Sequence, residues 1–337
     1  MTQPLGPVML DLEGPIITRA EKALLADTAV GGVILFARNV EGAEQVSALC
    51  ADIRRVRPDI LIGIDQEGGR VQRIRQGVTR LPPMARIGKL YADDPAEGGQ
   101  LANDAGWLLG MEMAACGLDL SFAPVLDVES GVSSVIGDRS FGFDPEHVAE
   151  LGARFIQGLH EAGMAAVGKH FPGHGGIEAD THVSVAEDTR TLAELKARDL
   201  VPFTRLAGQL DGVMPAHVVF SAFDARPAGF SPAWLGMLRE SLGFKGAIFS
   251  DDLTMAGAHV AGGPLARARA ALNAGCDMLL VCNDREAALE VVKGVGGIDN
   301  RRTGKLRYAR ARPDLEALSA LKRWRRANAR LSELASL

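Results

Sequence analysis

The sequence predicts an α/β protein built as one (β/α)8 barrel of the TIM type, followed by a helical C-terminal extension. Eight short apolar runs rich in β-branched residues alternate with segments of helical periodicity. The runs are nearly continuously apolar, which indicates a parallel sheet that is covered on both faces. We therefore predict eight strands, at residues 8–12, 32–36, 61–65, 118–124, 165–169, 212–216, 247–251 and 278–282.

Helical segments separate the predicted strands. In residues 43–56, Val46, Leu49, Ile53 and Val56 recur on one face, as in an amphipathic helix. No Gly-x-Gly-x-x-Gly fingerprint follows the first strand, which argues against an open dinucleotide-binding sheet. Three helix starts are indicated by capping sequences: Thr18 with Glu21, Thr191 with Glu194, and Ser231 with Pro232.

The C-terminal part of the chain has a different composition. We predict a catalytic barrel over residues 1–298 and a helical extension packed on it over 299–337. From about residue 299 the chain becomes basic, which leaves an RNA-binding tail as an alternative. That tail would lack interleaved aromatic residues apart from Tyr308, so a solvated helical extension is the better interpretation.

Composition limits the possible partners and compartments. The 337-residue chain has a net charge of -5 and so creates no positive field for nucleic acid or anionic membranes. No apolar run is long enough to span a bilayer, and the N-terminus does not resemble a signal peptide. The four cysteines lie among apolar neighbours without metal-ligand spacing, as buried free thiols do. We expect a cytoplasmic monomer that acts on a small molecule.

Polar, glycine-containing segments follow several predicted strands, where a barrel enzyme places its chemistry. After the third strand, Asp65 could accept two hydroxyl hydrogen bonds and Arg73 could donate several, while paired glycines allow a ligand to approach the backbone closely. A capped turn with an ion pair is an equally good interpretation of this segment alone. Asp127 and Arg139, beyond the fourth strand, are further polar candidates.

The segment from residue 169 to 182 carries the strongest pattern. Lys169 and His170 end a strand, and His174 is interpreted as a structural histidine hydrogen-bonded within the loop. Asp180 and His182 have a spacing at which the carboxylate can fix the tautomer of the imidazole and raise its basicity. Such a pair suits a group that donates and then accepts a proton near neutral pH. A surface Asp-x-His without any role remains the alternative.

Asp251 and Asp252 end the seventh predicted strand. Successive strand residues point to opposite faces, so only one carboxylate is expected in the barrel mouth, while the other caps the following helix. A metal site is a second interpretation of the polar residues, with His170, His174, His182, Asp180 and Asp251 as candidate ligands. The first strand, however, lacks the His-x-His pair of many metal-dependent barrel hydrolases. We therefore expect neither metal nor cofactor.

Together these motifs resemble those of a known enzyme family. The motif series is similar to that of the β-N-acetylglucosaminidases of glycoside hydrolase family 3, in the single-domain cytoplasmic branch that recycles cell-wall muropeptides in Gram-negative bacteria. It consists, in chain order, of Asp65-Gln66-Glu67-Gly68-Gly69-Arg70-Val71, Gly137-Asp138-Arg139-Ser140-Phe141, Lys169-His170-Phe171-Pro172-Gly173-His174-Gly175, Asp180-Thr181-His182 and Ser250-Asp251-Asp252-Leu253. Two departures are visible, because Gly176 and Thr181 stand where many relatives have aspartate and serine.

The resemblance implies roles for individual residues. Asp251 would be the nucleophile, and His182, oriented by Asp180, the general acid/base of a retaining double displacement. A set of five residues would hold the terminal N-acetylglucosamine: Asp65, Arg73, Arg139, Lys169 and His170. The implied substrate is a muropeptide, N-acetylglucosaminyl-1,6-anhydro-N-acetylmuramic acid with or without its peptide.

Three other functions remain open from the sequence. A neutral base tolerates an anionic acceptor, so phosphorolysis is one alternative. Substrate-assisted catalysis by the 2-acetamido oxygen is another, although strand alternation argues against a pair of orienting carboxylates. A non-catalytic sugar-binding module is the third. The glycines at 173, 175 and 176 further predict a mobile loop that brings His182 to the sugar.

Overall fold

Eight parallel strands form one curled sheet, as the sequence predicts. The computed structural model describes residues 5–177, 186–296 and 301–337. The sheet order is β7-β6-β5-β4-β3-β2-β1-β8, and a parallel bridge between Phe249 and Met278 joins the two end strands. The strands are β1 Val8–Leu10, β2 Val30–Leu35, β3 Leu61–Ile64, β4 Leu120–Ser121, β5 Ala165–Phe171, β6 Gly212–Pro215, β7 Ala247–Ile248 and β8 Leu279–Val281.

Several strands are shorter than the apolar runs that predicted them. The run at 118–124 contributes only Leu120–Ser121 to the ladder, and the run at 247–251 only Ala247–Ile248. Apolar character continues beyond each ladder because the residues that follow are also buried. Burial and backbone pairing therefore end at different residues. An apolar sequence pattern indicates which residues are buried, but not where the strand hydrogen bonds stop.

Apolar side chains fill both faces of the sheet. One cluster lies inside the curled sheet, and a larger one lies between the strands and the surrounding helices. Within the inner cluster, the rings of Phe122 and Phe249 meet edge to face at 5.1 Å. This two-sided burial accounts for the nearly continuous apolar character of the strands. The inner cluster includes Met9, Ile34, Leu61, Leu120, Phe122, Val167, Met214, Phe249, Met278 and Leu280.

Helices alternate with the strands, and the three predicted helix starts are confirmed. Thr18 and Thr191 each form a capping box with the glutamate three residues on, and Ser231 accepts a hydrogen bond from the Trp234 N–H. The helices are α1 Arg19–Leu25, α2 Ala43–Val56, α3 Met84–Asp93, α4 Pro95–Ala115, α5 Pro145–Ala162, α6 Leu192–Ala197, α7 Leu200–Leu206, α8 Pro232–Gly236, α9 Pro264–Ala274, α10 Arg285–Val295, α11 Arg301–Gly304, α12 Leu315–Ser319 and α13 Lys322–Ser336. Short 3-10 helices cover Ala37–Asn39, Gly137–Arg139, Ala228–Phe230 and Ala256–Ala261, and a π-helix covers Met237–Ser241.

Basic side chains of the C-terminal segment contact the rest of the protein. Arg312 Nη2 lies 2.7 Å from Asp119 Oδ1, and Arg302 Nη1 lies 3.0 Å from Asp277 Oδ1. In α13, Arg323 Nε donates to the buried carboxylate of Asp104 on α4 at 3.0 Å. These pairs occupy several of the positive charges that an RNA-binding tail would use. The boundary between residues 298 and 299 stays a prediction.

A buried carboxylate links α13 to α4. Glu112 accepts hydrogen bonds from Trp324 Nε1 at 2.9 Å and from Thr79 N–H and Oγ1 at 3.0 and 2.6 Å. Burial nevertheless raises the pKa of Glu112 from 4.5 to about 7. The folded protein therefore binds more protons than the unfolded chain between these pH values, and stability decreases as the pH rises from 4.5 through 7.

We expect Glu112→Gln to flatten this pH dependence. Glu112 should contribute a loss of about 3 kcal/mol in the free energy of unfolding between pH 4.5 and 7.5, and glutamine does not titrate. Urea unfolding at several pH values measures the two curves. Parallel curves for the wild type and the variant would contradict the assignment, whatever the absolute stability of the variant.

Two further sequence expectations concern the whole chain. All four cysteines are free and buried, as predicted. Among the helices that the structure describes, none is both long and apolar enough to cross a membrane.

Candidate active site

A cavity of about 450 Å³ lies at the carboxyl ends of the strands, a volume typical of small-molecule sites. Residues that end or directly follow β2, β3, β5, β6, β7 and β8 contribute to its wall. Six residues singled out from the sequence line this one cavity: Asp65, Arg73, Arg139, Lys169, His170 and Asp251. Their roles stay predictions, but the fold brings them together.

Four charged side chains on one wall form a chain of ion pairs. Lys169 Nζ lies 2.8 Å from Asp65 Oδ1 and 2.7 Å from Glu67 Oε1. Arg139 donates to both oxygens of Glu67 at 2.8 Å, in a bidentate pair. Opposite charges alternate along this chain, so each buried charge has a partner.

The pKa values of these groups follow from their pairing. Burial alone would raise the pKa of Glu67, but Arg139 and Lys169 outweigh it and hold that pKa below its usual range. Burial would lower the pKa of Lys169, yet Asp65 and Glu67 keep it above its usual value. Lys169 is therefore a permanently charged hydrogen-bond donor and is unsuited to act as a base.

Arg73 contributes a second cation beside Asp65. Its Nη2 lies 3.9 Å from Asp65 Oδ2, and the side chain is partly exposed. The segment after β3 therefore forms the ion pair that a simple capped turn would have. It also lines the cavity, which a ligand could occupy.

Two consecutive residues of β5 line the cavity. Successive residues of a regular strand point to opposite sides of the sheet, so Lys169 and His170 can both reach the cavity only where the strand is irregular. The ladder between β5 and β6 changes register between Lys169 and Phe171, and both side chains reach the cavity. This irregularity lies within β5, before Pro172, and interrupts the alternation of a regular strand.

Asp127 organises two histidines. Its Oδ2 lies 2.7 Å from His170 Nδ1, and its Oδ1 accepts the backbone N–H groups of His170 and His174 at 3.1 and 2.8 Å. Burial would raise the pKa of Asp127, but the adjacent His170 outweighs this and lowers it. A charged Asp127 orients the His170 ring so that Nε2 remains for a ligand.

His174 is buried behind His170. The two ring centroids are 5.9 Å apart. Burial and the neighbouring His170 both lower the pKa of His174, which favours its neutral form. The structural role of His174 stays a prediction, and its side chain also lines the cavity.

Asp251 and Asp252 both reach the cavity wall, but in different environments. Asp251 is partly exposed, and its Oδ1 accepts the backbone N–H of Asp252 at 2.8 Å. Asp252 is buried, and its oxygens accept from Thr254 N–H at 3.0 Å, Cys282 N–H at 3.1 Å and Asn283 Nδ2 at 3.2 Å. Burial raises the pKa of Asp252 to about 6. Of the two carboxylates, Asp251 is thus the more accessible to a ligand in the cavity.

The predicted cap by Asp252 takes another form. No α-helix begins at residue 253; a 3-10 helix follows only at Ala256–Ala261, with Met255 as its N-terminal flanking residue. Asp252 instead joins the turn after β7 to the residues after β8. The prediction of a helix cap was wrong because a carboxylate at the end of a strand can also accept backbone N–H groups that follow a neighbouring strand.

Asp180 and His182 lie outside the described residues. The glycines before them have packing reasons of their own. A Cβ on Gly175 would lie 1.9 Å from the Val128 carbonyl oxygen, and one on Gly176 would lie 2.4 Å from Arg190 Nη2. Close approach to backbone therefore accounts for glycine at position 175, whereas at 176 the neighbour is the end of a flexible side chain. Motion of this loop stays a prediction.

The sequence did not assign roles to several residues of the site. Glu67 belongs to a quoted motif, but only the fold reveals it as the acceptor between Arg139 and Lys169. Met214, Met255 and Asn283 also line the cavity and gave no signal. Among residues 5–177, 186–296 and 301–337, no three His, Cys, Asp or Glu side chains are grouped so that they could hold a metal ion.

The arrangement offers a sugar-sized polar cavity with a carboxylate on one wall and fixed charged donors on another. Comparisons with known proteins agree with this chemistry. The family model for the N-terminal domain of glycosyl hydrolase family 3 matches residues 8–303.

Curated relatives extend over nearly the whole chain. A beta-hexosaminidase from Pseudomonas aeruginosa PAO1 is 54% identical over 330 residues, which cover 94% of this chain and 98% of that protein. A beta-hexosaminidase from Methylococcus capsulatus is 51% identical over 329 residues, with 95% and 96% covered. The crystal structure of NagZ from Neisseria gonorrhoeae in complex with N-trifluoroacetyl-D-glucosamine has a TM-score of 0.93 and 43% identity, and each chain is covered to 99%.

Proposed function

The chain belongs to glycosyl hydrolase family 3 and is a glycoside hydrolase, and from that premise we propose that it is a retaining exo-β-N-acetylglucosaminidase. Its substrate would be a muropeptide, from which it removes the terminal N-acetylglucosamine during peptidoglycan recycling in the cytoplasm. The observation that carries this proposal is the partly exposed carboxylate of Asp251 in a cavity of single-sugar size. The N-acylated glucosamine bound to the Neisseria NagZ supports the same sugar for this cavity.

The sugar would be held by the charged wall. Asp65 and Lys169 offer an acceptor and a donor to hydroxyl groups, Arg73 and Arg139 add donors around them, and His170 presents its Nε2. Because the ion pairs already fix these side chains, little ordering is needed when the sugar binds. Fixed polar groups of this kind stabilise charge that develops in the transition state.

The chemical steps would follow a double displacement. Asp251 attacks the anomeric carbon while His182 gives its proton to the leaving oxygen, and a glycosyl ester forms on Asp251. His182 then takes a proton from water, whose oxygen attacks the anomeric carbon and releases Asp251. Asp180 would fix the His182 tautomer throughout. The second carboxylate that retaining glycosidases normally use is thus replaced by a histidine and aspartate pair.

The environment of Asp252 favours this route over substrate assistance. An acetamido-assisted mechanism needs a carboxylate that contacts the acetamido group. Both Asp252 oxygens already accept hydrogen bonds from Thr254, Cys282 and Asn283. Asp251 alone would then face the reacting carbon, as a covalent nucleophile does.

The architecture that we infer is a complete (β/α)8 barrel with α12 and α13 as an extension packed on α4. The bridge between Phe249 and Met278 and the contact of Arg323 with Asp104 support it. A monomer is part of the same proposal.

One experiment tests the proposed reaction. An aryl N-acetyl-β-glucosaminide is incubated with the protein in buffers with and without phosphate, and ¹H NMR follows the first product. We expect β-N-acetylglucosamine as the first product in both buffers. A first product in the α configuration would contradict retention, N-acetylglucosamine 1-phosphate would identify a phosphorylase, and no turnover would leave a sugar-binding module.

A further inference from the structure

The hairpin that carries Asp65 and Arg73 has one face in the cavity and one face in the protein interior. A short antiparallel ladder pairs Gln66 with Gln72, so Asp65 and Arg73 lie side by side at the ends of its two arms. Gln66 and Gln72 do not line the cavity, and each is only 2% exposed. This alternation is that of a β-hairpin. On the two arms, the residues that line the cavity are Asp65, Glu67, Val71 and Arg73.

Both buried glutamines are hydrogen-bonded to the backbone. Gln66 Oε1 accepts the N–H groups of Arg73 and Ile74 at 2.8 and 3.0 Å, and its Nε2 donates to the Ile74 carbonyl at 2.9 Å. Gln72 Nε2 donates to the same carbonyl at 3.1 Å and to that of Thr79 at 2.8 Å. An apolar side chain of the same size would leave these buried backbone groups without partners. The two amides therefore fix the chain on both sides of Arg73.

Arg73 is the cation of the cavity that its own side-chain contacts hold least. The side chains of Lys169 and Arg139 each lie 2.8 Å from a carboxylate oxygen. Arg73 Nη2, in contrast, lies 3.9 Å from Asp65 Oδ2. Among the residues that the structure describes, none accepts a hydrogen bond from Arg73 Nε, although this atom is buried. The position of the guanidinium therefore depends on the backbone that carries it.

Asp65, at the end of the other arm, has anchors of its own. The Gln66 N–H donates to Ser121 Oγ at 3.0 Å, and Ser121 Oγ donates to the Gln66 carbonyl at 2.7 Å. Lys169 Nζ holds the Asp65 side chain at 2.8 Å. Loss of the Gln66 amide would therefore release Arg73 and leave Asp65 in place.

We propose that Gln66 and Gln72 are positioning residues for Arg73, which hold its backbone so that its guanidinium reaches the sugar, without touching the sugar themselves. This inference rests on the proposed function, in which Arg73 helps to bind the terminal N-acetylglucosamine. Contacts to a part of the sugar that does not react are made in the bound state and in the transition state alike. Loss of the positioning should therefore weaken binding and raise KM, with little change in kcat.

The test is a double-mutant cycle on sugar binding. Gln66→Met and Gln72→Met each remove an amide and keep the length of the side chain, and circular dichroism shows whether each variant is folded. We expect each to raise the Kd for N-acetylglucosamine, measured by titration calorimetry, about 5- to 20-fold. The KM for an aryl N-acetyl-β-glucosaminide should rise by a similar factor, while kcat changes less than about 2-fold.

The second half of the cycle uses a chain that already carries Arg73→Ala. In this background the same two substitutions should change Kd and KM less than about 2-fold, because the group that they position is gone. A general effect on the fold would instead weaken binding equally in both backgrounds. The two glutamines are tested separately, so the result does not depend on the folding of one variant.

Gln45 provides a matched control. Its Nε2 donates to the carbonyl groups of Pro15 and Asn39 at 2.9 and 3.1 Å, and its Oε1 accepts the Glu41 N–H at 2.9 Å. Gln45 thus bridges backbone groups as the other two glutamines do, but it does not line the cavity. Gln45→Met should lower the free energy of unfolding and leave Kd, KM and kcat unchanged.

Folded Gln66 and Gln72 variants that bind the sugar as the wild type does would overturn this inference, and so would an equal loss of affinity in the Arg73→Ala background. Either result would leave the proposed function intact. If the wild type binds the sugar but cleaves no aryl N-acetyl-β-glucosaminide, the proposed reaction fails, and the calorimetric cycle still decides whether the glutamines position Arg73.

Discussion

Asp251→Asn is expected to lower kcat by about 10⁴-fold or more, because the amide keeps the shape of the side chain and loses its nucleophilic charge. Binding of N-acetylglucosamine should remain, since the charged wall of Asp65, Lys169, Glu67 and Arg139 is unchanged. Steady-state kinetics and calorimetric titration with the sugar measure the two effects separately.

The covalent intermediate can be located directly. A fluorinated N-acetylglucosamine analogue that reacts quickly and is released slowly should leave one sugar esterified to Asp251. Asp252→Asn is the matched control, because it changes the neighbouring carboxylate and should still give a labelled Asp251. A label on Asp252 would reverse our assignment. No label, together with inhibition by a thiazoline mimic of an acetamido-derived intermediate, would favour substrate assistance.

His182→Ala should lower kcat/KM by about 100- to 10,000-fold for substrates with poor leaving groups. Activated aryl glycosides should lose much less, because a good leaving group departs without an acid. A series of aryl leaving groups measures this difference as a steeper dependence on leaving-group pKa. Asp180→Ala should act in the same direction and more mildly, since the imidazole remains.

A second histidine and aspartate pair provides a control for His182. His160 Nε2 lies 2.7 Å from Asp211 Oδ2, and neither residue lines the cavity. His160→Ala should leave the dependence on leaving group unchanged. A uniform loss across the leaving-group series in His182→Ala would count against its role as acid/base.

The fold could be predicted largely because buried strands require apolar residues, which are visible in the sequence. The apolar runs located all eight strands, and side-chain chemistry located the helix starts at Thr18, Thr191 and Ser231. The ends of the strands could not be predicted, since residues beyond Ile248 and Ser121 remain buried after they leave the ladder.

The candidate site could be predicted in part because the strand assignment also indicates which residues end the strands. Residues at the ends of parallel strands meet at one edge of the sheet, so the convergence of Asp65, Lys169 and Asp251 follows from the strand assignment. The partner of a buried charge depends on how a loop folds back. The sequence therefore gave no means to choose Glu67 as the acceptor for Lys169, or to see that Asp252 accepts from Cys282.

The alternating charges of Asp65, Lys169, Glu67 and Arg139 have a consequence for experiments in solution. Dissolved ions weaken attractions between charges that face water, but they act much less on pairs that the protein encloses. Lys169, Glu67 and Arg139 are largely enclosed, and two carboxylates balance two cations along the wall. The affinity of this cavity for an uncharged sugar should therefore change little between dilute buffer and concentrated salt, so a response of KM to ionic strength would originate outside this wall.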